Sequence, residues 1–204
     1  MTARALTSSE LREQFPAGTV MHNPVTGEYA RVAEHTAERA VGELLAVPGG
    51  AVAGPHVHPA QEERFEVIDG VMGYRLGDQR GELGAGEAVT VAPGVIHDWW
   101  NAGEVDLRAR VTLTPPGLFA GMIGAVWGLA ALGRTTSKGM PKLADAALLA
   151  ETFGNEIVFE QPPRAVQRAL AATVAPIARR RGRSVTGETM RAAIVPAAQW
   201  PGRS

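Results

Sequence analysis

The sequence predicts a mainly β chain, an antiparallel barrel or sandwich over residues 19–115, with a short arm (1–18) before it and a helical extension (116–204) after it. Three observations carry this expectation. Short apolar runs divided by glycine, proline and acidic turns recur from Thr19 to Thr114, the punctuation of many short antiparallel strands. Beyond Pro115 and Pro116 the alternation gives way to longer apolar stretches at helical spacing. A length of 204 residues suits one domain with an appendage and is ample for a core of its own.

Each element has a local reason. Thr7-Ser-Ser-Glu10 reads as a capping box and predicts a short helix in the arm. Strands are expected at 29–33, 41–47, 64–68, 71–76, 88–91 and 107–113, where β-branched and apolar residues sit between turn formers. Helices are expected at 118–132, 142–153 and 164–181, with Pro141 and Pro163 near two of the starts, where a missing N–H costs least. Pro176 should kink or interrupt the last of these helices. The tail beyond Gly182 is weakly patterned and expected to be irregular.

Residues 117–133 are uncharged and contain Gly117-x-x-x-Gly121 and Gly124-x-x-x-Gly128. The stretch falls short of the roughly 20 apolar residues a bilayer requires, so a buried helix is favoured over a membrane span. Glycine costs a helix about 1 kcal/mol relative to alanine. This one must therefore be held by contacts, either within the chain or in a homodimer interface, or as a lid on the barrel mouth. A homodimer is expected on that ground.

Composition excludes several function classes. A formal charge of −1 and a pI near 6.5 give no electrostatic footprint for nucleic acid. The basic run Arg179 to Arg183 is a solvated helix end suited to the C-terminal dipole. With no cysteine, disulfides, thiolate metal sites and thiol nucleophiles are ruled out. No secretory signal pattern is visible, and a cytoplasmic location is the expectation.

The chemistry concentrates in two segments. His56 and His58 are one residue apart on an extended stretch and point the same way, because strand side chains alternate faces. Glu63 can return to the same spot after a turn, and a second apolar strand delivers His97. Three imidazoles and one carboxylate suit a divalent transition metal (Fe, Mn, Ni, Co or Zn) and leave coordination positions open. Parity places Glu63, Phe65 and Val67 on one face and aligns His97, Trp99 and Asn101. Phe65, Val67, Trp99 and Asn101 are thus candidate walls of a substrate pocket. Arg110 is a candidate partner for a substrate carboxylate, against the commoner solvated position of an alternating arginine. His22 and His35 have no partner at ligand spacing and are read as surface or turn residues.

These segments resemble the paired motifs of the cupin superfamily. Gly50, His56, His58, Glu63 and Gly70 match the first motif without departure. Gly86, Gly94, His97 and Asn101 match the second, except that Ala92 stands where proline is usual and Pro93 follows it. Asn23 to Glu28 and Gly133 to Pro141 look like a bacterial subgroup of single-cupin proteins with helical extensions. The resemblance implies a jelly-roll barrel with the metal inside, and His56, His58, Glu63 and His97 as its ligands. Glu62 is the rival to Glu63, and the offset to Gly70 favours Glu63. It also implies a metal-dependent enzyme acting on a small, largely apolar organic molecule. A dioxygenase is favoured, with Glu63 also able to act as a base. A redox-silent cyclase or isomerase of the polyketide-cyclase type is the alternative, and a non-catalytic binding module is the third reading.

Overall fold

The computed structural model describes residues 6–51 and 54–202; residues 1–5 of the expected arm, Val52 and Ala53 inside the first motif, and residues 203–204 of the tail lie outside the described residues. Helix α1 (Ser8–Gln14) opens the chain, and the capping box forms as expected: Thr7 accepts from the Glu10 N–H while the Glu10 carboxylate accepts from the Thr7 N–H. Ten strands follow in chain order: β1 (Val20–His22), β2 (Tyr29–His35), β3 (Ala40–Ala46), β4 (His56–Val57), β5 (Glu62–Asp69), β6 (Met72–Leu76), β7 (Gln79–Leu83), β8 (Ala88–Val91), β9 (His97–Asn101) and β10 (Leu107–Thr114). The extension comprises α2 (Phe119–Ala131), α3 (Leu143–Phe153), β11 (Val158–Phe159), α4 (Arg164–Arg180), α5 (Glu188–Arg191) and β12 (Ile194–Val195).

The strands form two antiparallel sheets, ordered β12-β1-β2-β3-β10-β5-β8 and β11-β4-β9-β6-β7, the double-sheet arrangement of a jelly roll. Strand β10 shows why: Leu107, Ala109, Val111 and Leu113 are buried, while the residues between them face outward. Its inward residues meet Phe65 and Val67 of β5, Met72 of β6 and Trp99 of β9 in one apolar cluster. The same parity puts Arg110 on the outer face, 43 % exposed and 3.8 Å from the carboxylates of Glu43 and Glu66. This corrects its candidacy as a pocket residue. An arginine between two inward-facing residues of a half-buried strand belongs to the solvent side.

Helix α2 is a core element. Ten of its residues, from Ala120 to Ala130, are buried within the chain, Trp127 completely. Its glycines are the contact surface. A Cβ on Gly121 would lie 2.6 Å from Leu11 Cδ2, on Gly124 2.6 Å from Phe15 Cζ, and on Gly128 1.7 Å from the Thr189 carbonyl oxygen. The helix therefore seats α1 and α5 at close range within one chain, and this face is not available as an exposed interface. Among the described residues, no helix is long and apolar enough to cross a membrane.

Of the kink or interruption expected at Pro176 the interruption does not occur, and the tail differs from expectation. Helix α4 runs through Pro176 without interruption. The carbonyl that loses its donor belongs to Ala172, an exposed residue, so water can take the place of the missing N–H. The tail beyond Gly182 is ordered rather than irregular: Val185, Met190 and Ala193 are buried, and β12 pairs with β1. Asp145 of α3, fully buried, anchors this return by accepting from the guanidinium groups of Arg134 and Arg183. Those hydrogen bonds outweigh burial and hold its pKa below the usual carboxylate value.

Candidate metal centre

His56 opens β4 and lies directly beside His97 in the β4–β9 register, their rings 4.2 Å apart. His58 follows just beyond β4 on the same side, its ring 5.5 Å from that of His97. Glu63 approaches from the opposite sheet, near the start of β5. The turn before His97 is built by Pro93 and Gly94: the Val95 N–H donates to the Ala92 carbonyl (3.2 Å), and Gly94 takes φ 81°. Proline then glycine at the central positions suits a type II turn. That explains why Ala92 in place of the usual proline leaves His97 correctly delivered.

One ligand atom from each of His56, His58, Glu63 and His97 lies within 4.8 Å of the other three. All four residues are between 1 % and 4 % exposed. Glu62 points to the outside, which settles the rivalry with its neighbour by burial.

Backbone carbonyls fix how the imidazoles face. His56 Nδ1 lies 2.8 Å from the Gly54 carbonyl, His58 Nδ1 2.8 Å from the Glu156 carbonyl, and His97 Nδ1 3.1 Å from the Val95 carbonyl. A carbonyl oxygen only accepts, so each Nδ1 carries a proton and each ring turns its Nε2 inward. His58 Nε2 is buried and has no hydrogen-bond partner, an arrangement that costs roughly 1–3 kcal/mol unless something takes the lone pair. Glu63 Oε2 sits 2.8 Å from His97 Nε2 and 3.5 Å from His58 Nε2. The residues thus fit a cation: three inward Nε2 atoms and one carboxylate around a shared point, with the buried His58 Nε2 left without a partner.

Without a cation, a proton on His97 Nε2 performs part of that task. Burial opposes its charge, but the hydrogen bond to Glu63 raises its pKa, and the same contact with the nearby histidines lowers that of Glu63 despite burial. Burial, reinforced by the charge on His97, drives His56 down to about 3. His56 therefore stays neutral, as a metal ligand must.

Of the remaining expected site residues, Phe65 lies beside the centre, its ring centroid 6.4 Å from that of His97, and the buried Trp99 packs on Phe65 at 6.0 Å. Val67 is buried one step further along β5. Asn101 is not a pocket residue. Its amide donates to the Ala46 and Val105 carbonyls (2.8 Å each) and its oxygen accepts from the Gly103 N–H (2.9 Å), so its polar capacity goes to backbone. Residues of the extension complete the surroundings and carry no sequence signal. Phe119 of α2 stands edge-on to His58 at 5.8 Å, and Phe159 of β11 lies 6.2 Å from His56. Strand β11 pairs with β4 itself, placing Phe159 opposite His56.

The fold and this site define a jelly roll built around a candidate mononuclear metal centre. Residues 43–113 match the family model described as the cupin domain, so this part of the chain is a cupin domain, and a helical extension follows the barrel. Solved structures that it resembles include KdgF from a Halomonas species, at 18% identity and a TM-score of 0.41, covering 43% of this chain and 80% of that one. Another is an uncharacterized conserved protein with a double-stranded β-helix domain from Klebsiella pneumoniae, at 24% identity and TM-score 0.41, covering 55% and 90%. The polyketide cyclase RemF from Streptomyces resistomycificus aligns at 24% identity and TM-score 0.39, covering 44% and 66%. No curated protein matches the chain.

Proposed function

We propose that this chain is a metal-dependent cupin enzyme, a non-haem dioxygenase acting on a small, largely apolar organic molecule. The observation that carries the reading is the buried convergence of His56, His58, Glu63 and His97 with every Nδ1 already committed to a carbonyl. These four residues would hold one divalent ion, which supplies Lewis-acid or redox chemistry when bound. A mixed imidazole and carboxylate set suits oxygen chemistry, which places the dioxygenase ahead of a redox-silent cyclase or isomerase.

The chain's own residues supply the rest. Phe65, Phe119 and Phe159 set aromatic rings against the histidines, and Trp99 backs Phe65. That surface excludes water and favours an apolar substrate. Glu63 Oε2 is the one ligand atom able to hold a substrate proton, since the imidazoles keep theirs on Nδ1.

The test is anaerobic loading of the purified protein with Fe(II), followed by oxygen-uptake measurements against small aromatic and diketone compounds. Substrate-dependent oxygen consumption lost in His97→Ala supports the dioxygenase. Metal binding with no oxygen uptake, and conversion of a substrate without it, would move the assignment to a cyclase or isomerase. Binding of a small ligand with no turnover would leave a binding module.

A further inference from the structure

The metal ligands come from the barrel, but one of them is oriented from outside it. His58 Nδ1 donates to the carbonyl of Glu156, 98 residues further along, in the turn between α3 and β11. His56 and His97 instead use carbonyls two residues away on their own segments. The same Glu156 is fastened through its side chain: its Oε2 accepts from the Gln61 amide at 2.5 Å and from the Leu118 N–H at 3.0 Å. Gln61 is buried and stands two residues before Glu63, and Leu118 immediately precedes α2, whose first residue Phe119 faces the His58 ring. Space for this knot is made by Gly117, where a Cβ would fall 2.0 Å from Glu156 Oε2 and 2.2 Å from Gln61 Nε2, and whose φ is 52°.

We propose that Glu156 is a positioning residue for the metal centre. Its carboxylate ties the α3–β11 turn to the barrel at Gln61 and to α2 at Leu118, and its carbonyl, held in place by those ties, keeps His58 in the Nδ1–H form with Nε2 aimed inward. The helical extension is then part of the centre rather than an appendage to it. The carboxylate acts by accepting hydrogen bonds, so a neutral amide can do the same work. The proposal rests on the metal-site reading given above. A ligand histidine released from such a partner typically costs about 10–100-fold in metal affinity.

The experiment compares the wild type with Glu156→Ala and Glu156→Gln, and with Gln61→Leu, which removes one donor and leaves the turn unaltered. Two quantities are read. The His58 tautomer is followed by 15N NMR on histidine-labelled, metal-free protein at mildly alkaline pH, and Co(II) affinity by titration of its visible absorption. In Glu156→Ala, His58 is expected to show mixed tautomers and Co(II) to bind about tenfold more weakly, while Glu156→Gln keeps wild-type values. Gln61→Leu is expected to shift both readings the same way by less, and it decides the matter if Glu156→Ala does not fold. A wild-type tautomer and wild-type affinity in the folded variants would overturn the proposal. If the wild type binds no Co(II), the metal reading fails, and the tautomer measurement still decides whether Glu156 positions His58.

Discussion

Replacing Gly128 by alanine probes whether the extension is seated as described. The added methyl would lie 1.7 Å from the Thr189 carbonyl oxygen and 2.8 Å from its carbon, so α2 and α5 must separate by about 1.5 Å or more to reach normal contact. The obstacle is backbone, and no rotamer change relieves it. Overpacking of this kind costs about 1–3 kcal/mol, and a rigid neighbour places it at the upper end. Alanine's better helix propensity returns about 1 kcal/mol. The net expectation is a loss of about 2 kcal/mol, which for a chain of this size lowers Tm by roughly 4–8 °C. Gly84→Ala is the control, since its Cβ would meet nothing closer than Glu87 Oε2 at 3.7 Å. Thermal unfolding followed by circular dichroism reads both variants. A Gly128→Ala protein as stable as the wild type, or more so, would refute the packing of α2 against α5 and the seating of Phe119 that depends on it.

Asp145→Asn removes the buried counter-charge of the partly exposed Arg134 and Arg183 and should cost about 1–3 kcal/mol in denaturant unfolding. Because the folded state depresses the pKa of Asp145, its stabilisation is present above the unfolded value of 3.8 and is lost as pH falls through the lower folded value. The raised pKa of His97 sets the pH dependence of metal binding. Below that pKa the Nε2 proton must leave, so calorimetric affinity should fall about tenfold per pH unit as the solution is acidified. Phe119→Ala removes the ring that stands against His58 and should speed extraction of the metal by a chelator, because the apolar shell controls solvent access to such a site. Arg110→Ala, which removes 3.8 Å contacts made by a side chain 43 % exposed, should change Tm and turnover little.

Strand alternation made the barrel readable. The inward face of β10 follows from alternate apolar positions alone, those of β5 and β9 from parity counted from Glu63 and His97, and the choice of the four ligands from the resemblance to the paired cupin motifs. Parity does not say what a polar side chain does once inside. Asn101 faces inward as expected, yet it spends its hydrogen bonds on the Ala46, Gly103 and Val105 backbone. The two-residue strands β11 and β12 were not legible, since each exists only by pairing with a distant strand, β4 or β1. Glu156 illustrates the same limit. Its neighbours in sequence give no hint of His58 or Gln61, which become neighbours only when α3 returns to the barrel. The uninterrupted α4 shows a local rule overridden by solvent access to a single carbonyl.

The central claim is that His56, His58, Glu63 and His97 hold one divalent transition metal. It is tested most directly by elemental analysis of protein purified without a metal-affinity tag, before and after separate loading with Fe(II), Mn(II), Co(II), Ni(II) and Zn(II), alongside His97→Ala. The account predicts a stoichiometric ion in the wild type and its loss in a folded His97→Ala protein. A wild type that retains none of these metals, or a His97→Ala protein that retains them equally well, would contradict it.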